Sequence, residues 1–140
     1  MADTLTATER SQRMSRVRGK DTSAELVVRR VVHRMGFRYR LHDANLPGKP
    51  DIVFAKRKKV IFVHGCFWHR HPSPKCRLAR LPKSRLDFWV PKLTANRQRD
   101  VRNEGELSRA GWHVLVIWEC ELGNEEKLRE RLQRFLKEDT

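Results

Sequence analysis

The sequence predicts a single α/β domain with a central mixed sheet flanked by helices, and three observations lead there. Two short apolar runs, VIFV at 60–63 and WHVLVIW at 112–118, are rich in β-branched and aromatic residues, as strands buried on both faces are. Elsewhere the apolar residues recur at helical spacing, at Leu26, Val27, Val31 and Met35, and again at Leu128, Leu132, Phe135 and Leu136. A chain of 140 residues supports one core, and it contains no repeat or low-complexity tract that would mark a second domain.

The elements follow in order. Residues 1–20 are polar and arginine-rich, with scattered apolar residues such as Met14 and Val17; they read either as a flexible basic arm that orders on DNA or as a disordered tail. Thr22 followed three residues later by Glu25 is a capping box that opens the first helix, and Gly36 ends it. Residues 37–41 alternate apolar and basic side chains like a half-exposed strand. After the loop HDANLPGKP, residues 51–54 form a second strand. A basic turn at 56–59 reverses the chain, and 60–63 returns beside it as a hairpin. That pairing sets Asp51 next to Val63 and His64.

Residues 77–83 are basic and irregular, 84–90 contain the pair Phe88-Trp89, and Pro91 interrupts the chain. Residues 92–110 then read as a helix with a basic polar face, stopped by Gly111. The run 112–118 is the most apolar in the chain and is expected as a central strand, followed by the closing helix.

The loop after 60–63 carries the chemistry. Residues 64–76 hold three histidines (His64, His69, His71), two cysteines (Cys66, Cys76) and the aromatic pair Phe67-Trp68, in company with Gly65, Pro72 and Pro74. Cys66, His71 and Cys76 are soft ligands in a loop able to wrap a tetrahedral ion. Cys120, at the end of a strand expected to adjoin 60–63, can supply the fourth, so a closed structural zinc site stands beside two other readings, buried thiols or a catalytic zinc. His64 and His69 are then free to activate water or protonate a leaving oxygen, and Asp51 is a hard oxygen ligand suited to magnesium. Glu25, in the first turn of its helix, serves the cap and the dipole whatever else it does. Trp112 and Trp118 fit the core, whereas Phe67 and Trp68 in a polar loop fit DNA wedging better than packing.

Charge points to the partner. The chain holds 31 Lys and Arg against 17 Asp and Glu, a net charge of +14, and the last twenty residues contribute none of the excess. Such an excess draws a polyanion through counterion release, although charge also serves solubility. No apolar run reaches the ~20 residues that span a bilayer and no secretory h-region opens the chain, so a soluble, intracellular protein is expected.

Pro50-Asp51, eleven intervening residues and then Val63-His64-Gly65 occupy the place of the PD-(D/E)XK signature of restriction-endonuclease-like nucleases, with the second acidic residue and the lysine replaced. Together with DTSAE (21–25), LPGKPD (46–51), VIFVHGCFWHRH (60–71), DFW (87–89) and GWHVLVIWEC (111–120), the sequence resembles the very-short-patch repair (Vsr) DNA mismatch endonucleases over about residues 10–134. The resemblance implies a restriction-endonuclease-like domain over 21–140. It further implies an enzyme that cuts the phosphodiester on the 5′ side of the thymine in a T:G mismatch left by 5-methylcytosine deamination. It implies magnesium held by Asp51 and the Val63 backbone carbonyl, His64 and His69 serving phosphate and water, and Glu25 orienting His69 by a hydrogen bond. Cys66, His71, Cys76 and Cys120 would hold structural zinc. Phe67, Trp68 and Trp89 would wedge into the base stack while Met14 approaches from the other groove. Double-stranded DNA with the mismatch is the expected partner of a monomer, with mismatch-repair proteins as candidate further partners.

Two rivals remain at the level of sequence. A zinc-stabilised DNA-binding module would use the same zinc, charge and aromatics without catalysis, and a general nuclease of the same fold would cut paired and mismatched duplexes alike.

Overall fold

A computed structural model describes residues 22–137 and shows a sheet between two helical layers. The Thr22 hydroxyl accepts from the Glu25 backbone N–H at 3.2 Å and caps helix α1 (Ser23–Arg34). The α1 face toward the core is made by Val28, Val31 and Val32, with Val27 and Met35 at its margin. Leu26, expected on that stripe, is 42% exposed. Gly36, at φ 86°, turns the chain out of the helix, a left-handed conformation without penalty only for glycine.

Strand β1 is shorter than expected, since only Arg40–Leu41 pairs with the sheet. Phe37 and Tyr39 do alternate inward, each meeting Phe54 edge-on with centroids 6.4 and 6.3 Å away, but their backbone has no neighbouring strand among the described residues. Strands β2 (Ile52–Phe54) and β3 (Lys59–His64) form the antiparallel hairpin, its turn made by a short 3-10 segment and Lys58 at φ 53°. Strand β4 (His113–Trp118) pairs with β3 in parallel, so the sheet is mixed, in the order β1-β2-β3-β4.

The expectation that β4 is central is therefore corrected: it is an edge strand among the described residues. Its apolar character comes from helices on both faces rather than strands on both sides. On one face Ile52, Phe54, Ile61 and Ile117 pack with α1 and with Leu128, Leu132 and Leu136 of helix α3 (Glu125–Lys137). On the other, Val53, Val60, Phe62, Val114 and Val116 pack with Leu107 of helix α2 (Leu86–Arg109). The two-residue alternation along each strand sorts these sets.

Helix α2 also departs from expectation, starting at Leu86 instead of Lys92 and carrying Pro91 inside it. Proline in the second turn forfeits one backbone donor and crowds the Asp87 carbonyl, yet the helix runs through, and it brings Phe88 and Trp89 onto the same rod as the residues that reach the site. No helix among the described residues is long and apolar enough to cross a membrane.

Candidate active site

The site forms where β2 begins and β3 ends. Between β1 and β2 the chain makes a turn closed by the Lys49 N–H on the Leu46 carbonyl at 3.0 Å, with Pro47 and Gly48 at its centre. Gly48 is at φ 75°, and a Cβ there would sit 3.0 Å from Asn103 Cβ and 3.1 Å from the Phe62 ring, so the loop approaches α2 as closely as it does only with glycine. The chain is thereby delivered to Asp51, whose Oδ2 accepts the Val63 N–H at 2.7 Å. In a strand the N–H and C=O of one residue face the same edge, so the Val63 carbonyl also faces Asp51. Burial and the neighbouring Glu25 carboxylate push the Asp51 acid up to about 7, although the Val63 N–H opposes the shift.

Glu25 is 2% exposed and approaches this point from α1. Its partners are Arg29, one turn along the helix, and His42 Nε2, at 2.8 and 3.0 Å from its two oxygens. The expectation that Glu25 orients His69 is corrected accordingly. His69 Nδ1 lies 2.6 Å from Asp100 Oδ2, on α2, and that carboxylate rather than Glu25 fixes the ring. The geometric reason is layering: Glu25 lies on α1, and the sheet end separates it from His69 on the α2 side.

His64 ends β3 on the face of Val60 and Phe62 and is 4% exposed. Its ring stacks on His69 with centroids 3.9 Å apart and planes 4° from parallel, and meets Trp118 edge-on at 5.3 Å. Burial, then the proximity of His69, lowers its pKa to about 3, so the imidazole is neutral at any working pH. Glu25, His42, Asp51, His64, His69 and Asp100 all line one cavity of about 630 Å³.

Beneath it the four soft ligands converge. The donor atoms of Cys66, His71, Cys76 and Cys120 all lie within 4.8 Å of one another. Tetrahedral zinc with ~2.3 Å Zn–S bonds requires donors about 3.8 Å apart, so three thiols and an imidazole need little movement to close on the ion. The loop is folded for it: the His71 N–H bonds to the Cys66 carbonyl at 2.9 Å, and the Cys120 N–H reaches Cys66 Sγ at 3.4 Å. Burial raises the Cys66 thiol and lowers the His71 imidazole, which favours the neutral forms until a cation replaces the thiol protons. His71 also stacks on Trp118 at 4.3 Å.

The aromatic residues form one group whose members differ in exposure. Phe67, Trp68 and Trp89 touch one another edge to face at 5.2 to 5.9 Å, and Phe88 joins through Trp89 at 5.0 Å. Trp68 is only 9% exposed, its carbonyl held by buried Asn96 Nδ2 at 3.2 Å, so in the free protein it is a packing residue. Phe88, 45% exposed, presents the open ring. Met14 and the rest of 1–20 lie outside the described residues.

Sequence reasoning missed Asp100, His42 and Asn96. Asp100 is one acidic side chain among the arginines of a helix, and nothing in its spacing separates it from surface charge. His42 had a usable signal, because a strand paired with β2 in antiparallel register must place the residue after Leu41 beside Asp51; its N–H bonds to the Asp51 carbonyl at 3.1 Å.

Known proteins are similar to this chain over most of its length. Residues 2–75 match the family described as DNA mismatch endonuclease Vsr. The chain is 51% identical over 136 residues to the type II nicking enzyme V.XorIIP of Xanthomonas oryzae pv. oryzae, covering 97% of this chain and 98% of that protein. It is 39% identical over 141 residues to the DNA mismatch endonuclease Vsr of Escherichia coli, covering 97% and 88%. Its fold is similar to the catalytic domain of a homing endonuclease at TM-score 0.56 and 22% identity, over 82% of this chain and 94% of that one. A sheet end carrying Asp51, His64 and His69, together with relatives that match almost end to end, makes this chain a DNA endonuclease of the Vsr family.

Proposed function

We propose that the chain nicks one strand of DNA on the 5′ side of the mispaired thymine in a T:G mismatch arising from 5-methylcytosine deamination, and so starts very-short-patch repair. The observation that carries the reading is the convergence of Asp51, Val63, His64 and His69 on one cavity, with the aromatic group on its rim.

Asp51 and the Val63 carbonyl are the residues that would hold magnesium, both being hard oxygen donors at the cavity wall. A bound magnesium ion supplies positive charge against the phosphate and polarises water. His69, aligned by Asp100, takes the proton from the attacking water. His64, neutral and stacked on His69, hydrogen-bonds the phosphate and limits how that ring turns. Glu25 acts on the Asp51 side of the cavity, with Arg29 and His42 as its partners.

Cys66, His71, Cys76 and Cys120 would hold structural zinc, the donor set being one zinc takes and the four ligand atoms lying within 4.8 Å of one another. Phe67, Trp89 and the open ring of Phe88 enter the stack beside the mismatch, where unstacking costs least, and Trp68 follows only if the group opens on DNA. The arm at 1–20, with Met14, approaches the mismatch from the other groove of the DNA on which the 21–140 endonuclease domain acts. The enzyme acts as a monomer in the bacterial cytoplasm, at the nucleoid, where mismatch-repair proteins are its candidate partners.

Asp51→Asn tests the reading. It should retain mismatch binding within about threefold in a gel-shift assay while nicking falls by at least about a thousandfold. A variant that cuts as the parent does removes Asp51 from the chemistry. Nicking absent in the parent itself, with tight mismatch binding, leaves a recognition module.

A further inference from the structure

We propose that His42 is a nitrogen ligand in the divalent-cation site, which together with Glu25 and Asp51 makes a mixed nitrogen and oxygen site that takes first-row transition ions more readily than an all-oxygen site does, with manganese as the spectroscopic probe. The inference rests on Asp51 being a cation ligand, as in the proposed function, and adds a donor of different chemistry.

The ligand atoms of Glu25, His42 and Asp51 all lie within 4.8 Å of one another. His42 Nε2 is 2.8 and 3.0 Å from the Glu25 oxygens, and adjacent ligands in an octahedral shell with ~2.1 Å bonds are about 3.0 Å apart. His42 and Glu25 thus already stand at the edge length of such a shell, and the Asp51 ligand atom lies within 4.8 Å of both. His42 is held there at some cost: its backbone is at φ 48°, unusual for a residue with a Cβ, and its N–H is tied to the Asp51 carbonyl at 3.1 Å. Ligand and neighbour therefore move as one unit. Arg29 bonds Glu25 and offsets part of the negative charge. The site then attracts a cation less by net charge than two bare carboxylates would, and the imidazole donor counts for more. Magnesium gains little from imidazole, whereas ions along the Irving–Williams order gain progressively.

The test uses the full chain, loaded with one molar equivalent of zinc, which the cysteine thiolates take first, and freed of any excess so that the Glu25, His42 and Asp51 site stays open to manganese. Manganese is titrated while the free aqua ion is followed by electron paramagnetic resonance, and bound manganese is examined for 14N coupling. Expected are one site lost in Asp51→Asn, imidazole 14N coupling in the parent, and loss of that coupling in His42→Gln with a 10- to 100-fold weaker manganese affinity. His64→Gln should keep the coupling. Absence of 14N coupling in the parent overturns the inference without any variant having to fold, as does coupling that survives in a folded His42→Gln. Manganese that fails to bind in an Asp51-dependent way also overturns it. Nicking of T:G duplex with magnesium by the same preparation reports separately on the proposed function.

Discussion

Asp51, just before β2, and His64, at the end of β3, line the same cavity and carry opposite pH penalties. Asp51 is pushed up to about 7, so in the cation-free protein it stays protonated where the unfolded chain ionises, and its cost to folding grows as pH rises from about 4 to 7. Asp51→Asn should raise the cation-free Tm by several degrees at pH 8 and leave it unchanged near pH 4. For the same reason magnesium should stabilise the parent more at pH 8 than at pH 6, as differential scanning fluorimetry would register. His64 is lowered to about 3, so it is neutral in the fold while the unfolded chain binds a proton below about 6.5. Its contribution is present above pH 6.5 and is lost as pH falls toward 3. Urea unfolding should therefore show about 2 kcal/mol less loss between pH 7 and pH 4.5 in His64→Gln than in the parent. These two residues were legible in the sequence because a hairpin fixes who meets whom. Asp100 was not, since a helix fixes its own spacing but not which strand end it crosses.

At the scale of elements, α2 and the 64–76 loop form one device. The helix contributes Phe88 and Trp89 at its start, Asn96 to the Trp68 carbonyl and Asp100 to His69, so the aromatic rim and the partner of the His69 ring share one rod. Asn96→Ala leaves a buried carbonyl without its partner and should cost about 1–3 kcal/mol in denaturant unfolding. Nicking should fall with it, because the loop that carries His69 loosens. The loop has few backbone hydrogen bonds of its own, and a metal ion on its four soft ligands would be its main cross-link. Cys120→Ser should lower zinc affinity by roughly two orders of magnitude in a chromogenic chelator competition, and make the Tm sensitive to the chelator. The meeting of Cys66, His71, Cys76 and Cys120 was readable from residue type together with the expected neighbourhood of two strand ends. The helix start was not: Pro91 marks a boundary in a sequence, yet it fits a second turn whose other bonds hold. The apolar run of β4 likewise reported burial on two faces and said nothing of edges.

For the whole molecule, charge and shape act together. A net charge of +14 on a chain of this size predicts affinity dominated by phosphate contacts, falling by about a thousandfold between 50 and 200 mM salt if some six phosphates are neutralised. Discrimination between mismatched and paired duplex should change far less over that range, since wedging and unstacking release few counterions. Fluorescence anisotropy on the two duplexes across a salt series reads both slopes.

The most direct measurement is strand-resolved mapping of the cut. Duplexes that differ only in carrying a T:G mismatch or its paired counterpart, labelled in turn on each strand and set in several flanking contexts, are incubated with the zinc-loaded protein and magnesium. The account predicts a single nick, 5′ of the mispaired thymine, on that strand alone and absent from the paired duplex. Cutting of both duplexes alike, or of both strands at the mismatch, would contradict it.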